Sequence, residues 1–178
     1  MLVSLIGLPG VGKSTLGRRL AERLDFAFLD CDSEVERRLG QSIASFFQEK
    51  GEVAFRDQEE AVLQEAVRLD RTVLATGGGV VLRQANRALL RSHTACIYLR
   101  AEPRLLLSRL GRSGKRPLLN VGDVKGRLQA MALERESLYQ ETASIVVDTA
   151  GHHFNALLNQ LETALQPYNR PQDDRTAP

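Results

Sequence analysis

The stretch LVSLIGLPGVGKST, residues 2–15, joins a short apolar run to a glycine-rich loop. From Gly7 to Ser14 it matches the pattern G-x-x-x-x-G-K-[ST] at each fixed position. In such a loop the glycines let consecutive backbone N–H groups converge on phosphate oxygens, Lys13 reaches the β- and γ-phosphates, and the Ser14 hydroxyl ligates Mg²⁺. The stretch therefore predicts a strand, a phosphate-binding loop and a helix that begins near Gly12, whose positive N-terminal dipole favours an anion.

The rest of the chain continues this alternation of short apolar runs and helical patterns. Leu16, Leu20 and Leu24 recur every four residues, as on one face of a helix, and a weaker helical pattern covers residues 52–71. Strands linked through crossover helices run parallel and are buried on both faces, so we expect an α/β fold, a three-layer αβα sandwich with ligands at the carboxyl ends of the strands. The expected strands cover residues 2–6, 27–29, 72–75, 95–99 and 145–147.

Length and composition indicate one globular domain. The chain has 178 residues, of which 43% are hydrophobic and 26% are charged, and a chain of this size buries a core without disulfide or metal staples. Its 24 lysines and arginines against 22 acidic residues leave a net charge of +2. This charge is too small to indicate a nucleic-acid partner, so none is expected. The many arginines instead favour small anionic ligands.

Several features favour a cytoplasmic protein with no membrane partner. The first apolar run is too short for the core of a signal peptide, and no stretch approaches the length of a transmembrane helix. Cys31 and Cys96 lack metal-ligand spacing, and we expect this isolated pair to be reduced. The histidines also lack metal-ligand spacing, and we expect them at the surface. They are His93, His152 and His153.

Three segments depart from the strand–helix alternation. Residues 31–60 have a highly charged helical pattern with Gly40 and Gly51 as expected helix ends, which predicts a small helical insert. Residues 111–126 contain four glycines, Pro117 and several cations, which predicts a mobile lid. Residues 167–178 are polar and contain prolines, which predicts a disordered tail. A single domain is therefore expected over residues 1–166.

Two carboxylates follow the second apolar run. Asp30 and Asp32 stand where a strand end would face the same crevice as the phosphate loop. A carboxylate there can hold Mg²⁺ through water or accept a proton from a hydroxyl that attacks the γ-phosphate. The alternative is structural, because Asp32 or Ser33 can cap the helix that follows.

An arginine and a glutamate lie on one face of a predicted helix. Arg56 and Glu59 are three residues apart. A buried Arg56 in the crevice would clamp a substrate carboxylate through two hydrogen bonds, with Glu59 orienting it. Arg135, on a later helix, could fork onto the same carboxylate. A surface ion pair, which contributes little stability, is the alternative for both arginines.

The run Gly77-Gly78-Gly79 follows the third apolar run. Without β-carbons the backbone can approach a ligand closely and offer N–H groups to it. A plain flexible turn is the alternative, because glycine is also the usual residue of tight turns.

Two further arginines suggest contacts with a nucleotide. Arg116 lies beside the conformation-fixing Pro117 in the predicted lid. If the lid closes over the phosphates, this cation would act as an arginine finger supplied by the same chain, while closure excludes water that would hydrolyse ATP. A solvated run of charge is the alternative. Arg109, beside Leu110 of a helix core, could stack on a nucleobase.

Taken in order, these motifs resemble the shikimate kinase family. The order is phosphate loop, Asp-x-Asp, Phe-Arg-x-x-Glu, Gly-Gly-Gly, Arg-Pro-Leu and Arg-x-x-Leu-Tyr, and it extends from residue 2 to about residue 148. The resemblance implies a P-loop NTPase fold of the nucleoside-monophosphate-kinase-like kind with a five-stranded parallel sheet. It also implies phosphorylation of the shikimate 3-hydroxyl in the aromatic amino-acid (chorismate) pathway, with ATP as co-substrate and Mg²⁺ as cofactor.

The resemblance also implies a role for each motif. Lys13, Asp32 and Arg116 would be catalytic, with Asp32 as base on the shikimate hydroxyl and Arg116 on the transferring phosphate. Residues 31–60 would bind the substrate. The residues implied at the nucleotide are Gly10, Val11, Gly12, Lys13, Ser14, Thr15, Arg109 and Arg116. Those implied at shikimate are Asp32, Arg56, Glu59, Gly77, Gly78, Gly79, Arg116 and Arg135. Those implied at the metal are Ser14 and Asp30.

Three alternatives stay open on the sequence alone. A P-loop kinase for another small hydroxy acid, such as gluconate, shares the loop and the fold, although the conjunction of Asp32, Arg56, Arg135 and the glycine run disfavours it. A nucleotide-operated switch is less favoured, because the sequence contains no Asn-Lys-x-Asp element for guanine. A nucleotide-binding protein without activity is disfavoured because each candidate catalytic position is filled. For the kinase, we expect a monomer.

Overall fold

The computed structural model describes residues 1–110 and 123–169. Its centre is a five-stranded sheet in the order β2-β3-β1-β4-β5, in which each neighbouring pair is parallel. This confirms the predicted sheet, and each expected strand begins where the apolar run begins and ends within one residue of it. The strands are β1 (Leu2–Ile6), β2 (Ala27–Asp30), β3 (Thr72–Ala75), β4 (Ala95–Arg100) and β5 (Ile145–Asp148).

Helices cover both faces of the sheet. One helix pair, α1 and α7, packs together against the strands, and a second pair, α4 and α6, packs together against β4. The result is the predicted three-layer sandwich. The helices are α1 (Lys13–Leu24), α2 (Cys31–Leu39), α3 (Ile43–Ala66), α4 (Gln84–His93), α5 (Pro103–Leu110), α6 (Val124–Thr142) and α7 (Phe154–Leu165), with short 3-10 helices at Val80–Leu82 and Gln166–Asn169.

The core lies on both sides of β1, β3 and β4. The apolar side chains of these strands are buried, as expected for parallel strands covered by helices on each face. On α1, Leu16 and Leu20 are buried and Leu24 is partly buried, which confirms the predicted helix face. In the described part of the chain, none of the helices has the length and apolar character needed to cross a membrane.

The predicted segments are partly different in the structure. Gly40 ends α2 with φ of 64°, and Gly51 interrupts α3 with φ of 82°, so both expected breaks are confirmed. The helical pattern over residues 52–71 was extended too far, because α3 ends at Ala66 and the following residues turn toward β3. Residues 124–126 of the expected lid form the first turn of α6, and residues 167–169 of the expected tail lie in the 3-10 helix Gln166–Asn169.

The phosphate loop leaves the sheet through a close backbone contact. Gly7 follows β1 with φ of 144°, and a β-carbon on it would lie 2.6 Å from the carbonyl oxygen of Leu99 in β4. Only a residue without a side chain fits at position 7, where the two backbones approach so closely. The loop therefore begins at the carboxyl ends of two central strands, where ligands bind in open parallel sheets.

We expect Gly7→Ala to destabilise the fold more than Gly151→Ala. Both glycines have positive φ, 144° and 71°, so each variant carries backbone strain of about 1–2 kcal/mol. Only Gly7 faces backbone, since the space around Gly151 is open, and the clash adds about 1–3 kcal/mol. Urea unfolding of both variants measures the difference. Equal losses of stability would contradict the close contact with Leu99.

Candidate active site

The predicted phosphate loop forms between β1 and α1. Gly10 and Gly12 have φ of 88° and 103°, a conformation that favours glycine, and α1 begins directly after Gly12. The Lys13 side chain is buried and folds back along the loop, where its Nζ donates to the carbonyl oxygens of Gly7 at 2.8 Å and Leu8 at 3.1 Å. The loop thus presents a buried ammonium and a helix N-terminus to one space, a combination that suits phosphate.

Asp30 connects the phosphate loop to the next helix. Its Oδ2 accepts a hydrogen bond from Ser14 Oγ at 2.5 Å, and its Oδ1 accepts one from the backbone N–H of Ser33 at 3.2 Å. Asp30 is therefore the N-cap of α2, and the alternative that gave this position to Asp32 or Ser33 is wrong. The capping aspartate is the last residue of β2, so its second oxygen remains directed toward the loop.

The glycine run, residues 77–79, contacts both the phosphate loop and the residues predicted to bind the substrate. A β-carbon on Gly77 would lie 2.6 Å from Glu59 Oε1 and 2.7 Å from Asp32 Oδ1, and one on Gly79 would overlap the guanidinium group of Arg56. On the other side, a β-carbon on Gly78 would lie 2.9 Å from the Pro9 ring of the phosphate loop. The run is therefore closely packed against charged groups and is not a plain flexible turn.

Arg56 and Glu59 form a buried ion pair beside this run. Nη1 of Arg56 donates to Glu59 Oε2 at 2.8 Å, and the two residues are only 8% and 2% exposed. Nη2 of Arg56 contacts the half-exposed Glu52 at 3.2 Å, and the guanidinium lies over the Phe55 ring. The surface-pair alternative is therefore wrong here.

Burial has the largest effect on the pKa of Glu59. Loss of water raises the pKa of its carboxyl, nearby Asp32 raises it further, and the positive charges of Arg56 and Arg135 oppose the rise. Oε1 of Glu59 and Nε of Arg56 are buried and have no hydrogen-bond partner within the described residues. Buried polar atoms without a partner are uncommon in native structures, and a bound ligand is one way to satisfy them.

Arg135 also contacts the glycine run. It lies on α6, is 8% exposed, and its Nη1 donates to the carbonyl oxygen of Gly78 at 3.2 Å. Its Nε contacts the exposed Glu134 at 3.2 Å. Because Arg56 packs against Gly79 and Arg135 binds Gly78, both guanidinium groups converge on the glycine run. Arg135 is not a surface ion pair either.

Two predicted residues are not placed. Arg116 lies outside the described residues, and so does most of the expected lid, residues 111–122. Arg109 belongs to α5, but its side chain is not among those that the structure describes. The three histidines are exposed and both cysteines are buried and unpaired, as expected.

Two side chains that contact the site have no role in the sequence-based expectations. The Tyr139 hydroxyl donates to the Gly78 carbonyl oxygen at 2.5 Å, and Glu52 occupies the outer nitrogen of Arg56. Tyr139 was detectable in principle, because it lies four residues after Arg135 and hence on the same helix face. Pro9 was also missed, since only the fold places it against Gly78.

The fold and this geometry define a class of protein. A phosphate loop after a central strand of a parallel sheet, next to a carboxylate and two convergent arginines, is the arrangement of a P-loop kinase for a small anionic molecule. The sequence profile described as Shikimate kinase matches residues 9–166. The chain belongs to the shikimate kinase family.

Individual relatives agree over nearly the whole chain. A shikimate kinase of Burkholderia lata is 43% identical over 92% of this chain and 89% of its own length. The solved structure of shikimate kinase from Acinetobacter baumannii in complex with shikimate has a TM-score of 0.90 and 35% identity, covering 96% of this chain and 95% of that one. Deoxyadenosine kinase from M. mycoides, at 15% identity and a TM-score of 0.63 over 94% of this chain and 100% of that one, shares the fold alone.

We expect the pH dependence of stability to change when Glu59 is replaced by glutamine. In the unfolded chain a glutamate titrates near pH 4.3, about its ordinary value. Because the folded pKa of Glu59 is higher, the unfolded carboxyl ionises first as the pH rises. The free energy of unfolding of the wild type therefore falls relative to Glu59→Gln from about pH 4.3 upward, through the folded pKa.

Glu65→Gln provides the control with the opposite sign. The hydrogen bond from Arg38 lowers the pKa of the exposed Glu65 carboxyl, so the wild type loses stability relative to that variant as the pH falls below about 4.3. Urea unfolding of the three proteins between about pH 3 and pH 8 measures both trends. Trends of the same sign for the two variants would show that the pKa of Glu59 is not raised.

Proposed function

We propose that this site transfers the γ-phosphoryl group of ATP to the 3-hydroxyl of shikimate and yields shikimate 3-phosphate and ADP. One observation carries the proposal: the glycine run joins the phosphate loop, through Pro9, to the cluster of Asp32, Arg56 and Arg135. A donor site and a site for an anionic hydroxyl compound thus share one backbone segment. Shikimate, with one carboxylate and three hydroxyls, requires a cationic fork at one end and a hydroxyl acceptor at the other.

The cationic fork would consist of Arg56 and Arg135. Both guanidinium groups are buried and already oriented by hydrogen bonds, so little side-chain freedom is lost when a carboxylate binds. Glu59 orients Arg56 from the buried side. On the open side the exposed carboxylates of Glu52 and Glu134 contact the arginines, and a substrate carboxylate would replace them.

The ring and its hydroxyls would lie along the glycine run. Because these glycines carry no side chains, Asp32 and the Arg56 guanidinium lie directly against their backbone and would border a ligand held there. The Asp32 carboxylate would accept a hydrogen bond from the attacking hydroxyl and receive its proton as the bond to phosphorus forms.

The phosphate loop would hold the donor. Residues 10–15 would bind the ATP phosphates through backbone N–H groups, and Lys13 would move from its loop carbonyls to the β- and γ-phosphates. By resemblance, Arg116 would stabilise the transferring phosphoryl group and Arg109 would contact the adenine. Positioning and charge neutralisation supply most of the rate enhancement in this chemistry.

Ser14 and Asp30 would hold Mg²⁺. Their side-chain oxygens lie 2.5 Å apart beside the loop, and hard oxygen ligands are those that Mg²⁺ prefers. Within residues 1–110 and 123–169, no group of three or more His, Cys, Asp or Glu side chains has metal-binding geometry, which suits an ion held jointly by few protein oxygens, phosphates and water. Mg²⁺ would neutralise phosphate charge and orient the phosphates.

The surrounding organisation follows from the same assignment. Residues 31–60, which include α2 and the first part of α3, would bind the substrate, and residues 111–126 would act as the lid of a single kinase domain over residues 1–166. We place the enzyme in the cytoplasm as a monomer, acting in the aromatic amino-acid pathway. The two unpaired cysteines are compatible with a reducing compartment.

The direct test is ADP formation by the purified chain with ATP and Mg²⁺. We expect turnover that depends on shikimate, with no comparable turnover on gluconate, because the family model and the relatives that match this chain are those of shikimate kinases. If gluconate stimulates ADP release and shikimate does not, gluconate and not shikimate is the substrate. Tight GTP binding without metabolite-dependent ATP consumption would instead support the nucleotide switch.

Asp32→Asn should preserve ATP binding and lower kcat by about 10²–10⁴-fold, the usual contribution of a general base. The amide keeps the size of the side chain but accepts a proton poorly. Asp57→Asn is the matched control, because Asp57 lies on α3 and pairs with Arg83. Steady-state kinetics and nucleotide titration separate the two effects. A kcat close to that of the wild type would remove Asp32 from the role of base.

A further inference from the structure

The hydroxyl of Tyr139 makes a buried contact that the proposed chemistry leaves unexplained. Tyr139 lies on α6, one turn after Arg135, and is 0% exposed. Its hydroxyl donates to the Gly78 carbonyl oxygen at 2.5 Å, the same oxygen that accepts from Nη1 of Arg135 at 3.2 Å. Burial raises the pKa of this phenol, so it stays protonated and donates at neutral pH.

The Tyr139 ring is held firmly enough to fix the position of that hydroxyl. It stacks on Tyr98 of β4, with the ring centroids 4.9 Å apart and an angle of 21° between the planes. The ring stacking directs the Tyr139 oxygen at the glycine run. Separately, the Tyr98 hydroxyl donates to Glu136 Oε2 of α6 at 2.6 Å and ties α6 to the sheet.

Fixing the Gly78 carbonyl also fixes the group on the far side of the same peptide. A trans peptide is planar, with its C=O and the following N–H pointing in opposite directions. The hydrogen bond from Tyr139 therefore sets where the N–H of Gly79 points. Glycine does not hold such a peptide plane by itself, since its backbone is the most permissive. Pro9 restrains the other side of Gly78.

We infer that Tyr139 is a positioning residue for the substrate carboxylate: its hydroxyl holds the Gly78–Gly79 peptide and, through the shared carbonyl oxygen, the guanidinium of Arg135 in their binding orientation. Tyr139 itself would not touch the substrate. This inference rests on the proposed function, because it takes the ligand of Arg135 to be the carboxylate of the phosphoryl acceptor.

Tyr139→Phe tests the inference, because it removes only the oxygen and keeps the stacked ring. We expect the KM for shikimate to rise about tenfold, the effect of one lost hydrogen bond, while the KM for ATP changes less than about twofold and kcat falls less than KM rises. A purely structural role would lower stability without this separation of the two KM values. Steady-state kinetics with each substrate varied in turn measures them.

Tyr98→Phe is the matched control. It removes the same atom from the other ring of the stacked pair, but that oxygen bonds to Glu136 rather than to the glycine run. Its KM for shikimate should stay within about twofold of the wild type, although its stability falls in the same way. Equal increases in KM for both variants would overturn the inference, and so would an unchanged KM in Tyr139→Phe.

A double-mutant cycle with Arg135→Lys tests the route of the effect. If Tyr139 acts through Gly78 and Arg135, its substitution should raise the KM for shikimate much less in the Arg135→Lys background than in the wild type. Fully additive effects would contradict that route. Turnover of shikimate by the wild type distinguishes failure of the proposed function from failure of this inference. If the wild type does not turn over shikimate, both fail. If it does, the variants test the role of Tyr139 alone.

Discussion

The close packing of the backbone at Gly77–Gly79 is the constraint on which the site depends. Pro9 of the phosphate loop lies against Gly78, and the Arg56 guanidinium lies against Gly79, in space that any β-carbon would occupy. The distance between the phosphate loop and Arg56 is therefore set by side chains packed directly against the glycine backbone, where close packing leaves little room to adjust. A site that transfers a phosphoryl group between two small molecules needs such fixed spacing, because misplacement by about 1 Å is costly to the rate.

Buried charge is the second feature that shapes the site. Arg56 and Glu59 are removed from water although a buried ion pair is weak as a source of stability. Their burial makes sense as preorganisation: Glu59 holds the guanidinium in place from the buried side, and the proposed ligand would replace the exposed Glu52 at the outer nitrogen. The low polarity of the surroundings strengthens any carboxylate contact made there. Nε of Arg56 and Oε1 of Glu59 have no hydrogen-bond partner among the residues that the structure describes.

Much of the fold and part of the site are predictable from local patterns. The five strands follow from short apolar runs, and the phosphate loop follows from spaced glycines and Lys13, because these signals need no distant partner. Helix ends were less accurate: α3 stops at Ala66, where tertiary packing turns the chain toward β3. One alternative placed the helix cap after β2 at Asp32 or Ser33, whereas Asp30 caps α2, because several neighbouring residues satisfy the local rule and only the start of the helix distinguishes them.

The sequence by itself determined the parallel α/β architecture, the phosphate loop and the residue types available for binding a carboxylate and a hydroxyl. Only the tertiary structure decided that Arg56, Glu59 and Arg135 are buried at one point rather than paired at the surface. It also assigned Pro9 and Tyr139 to the glycine run. The reason is physical. Strand and loop patterns depend on a few neighbouring residues. The burial and convergence of these charged side chains depend instead on how β3, α3 and α6 pack, and those elements are far apart along the chain.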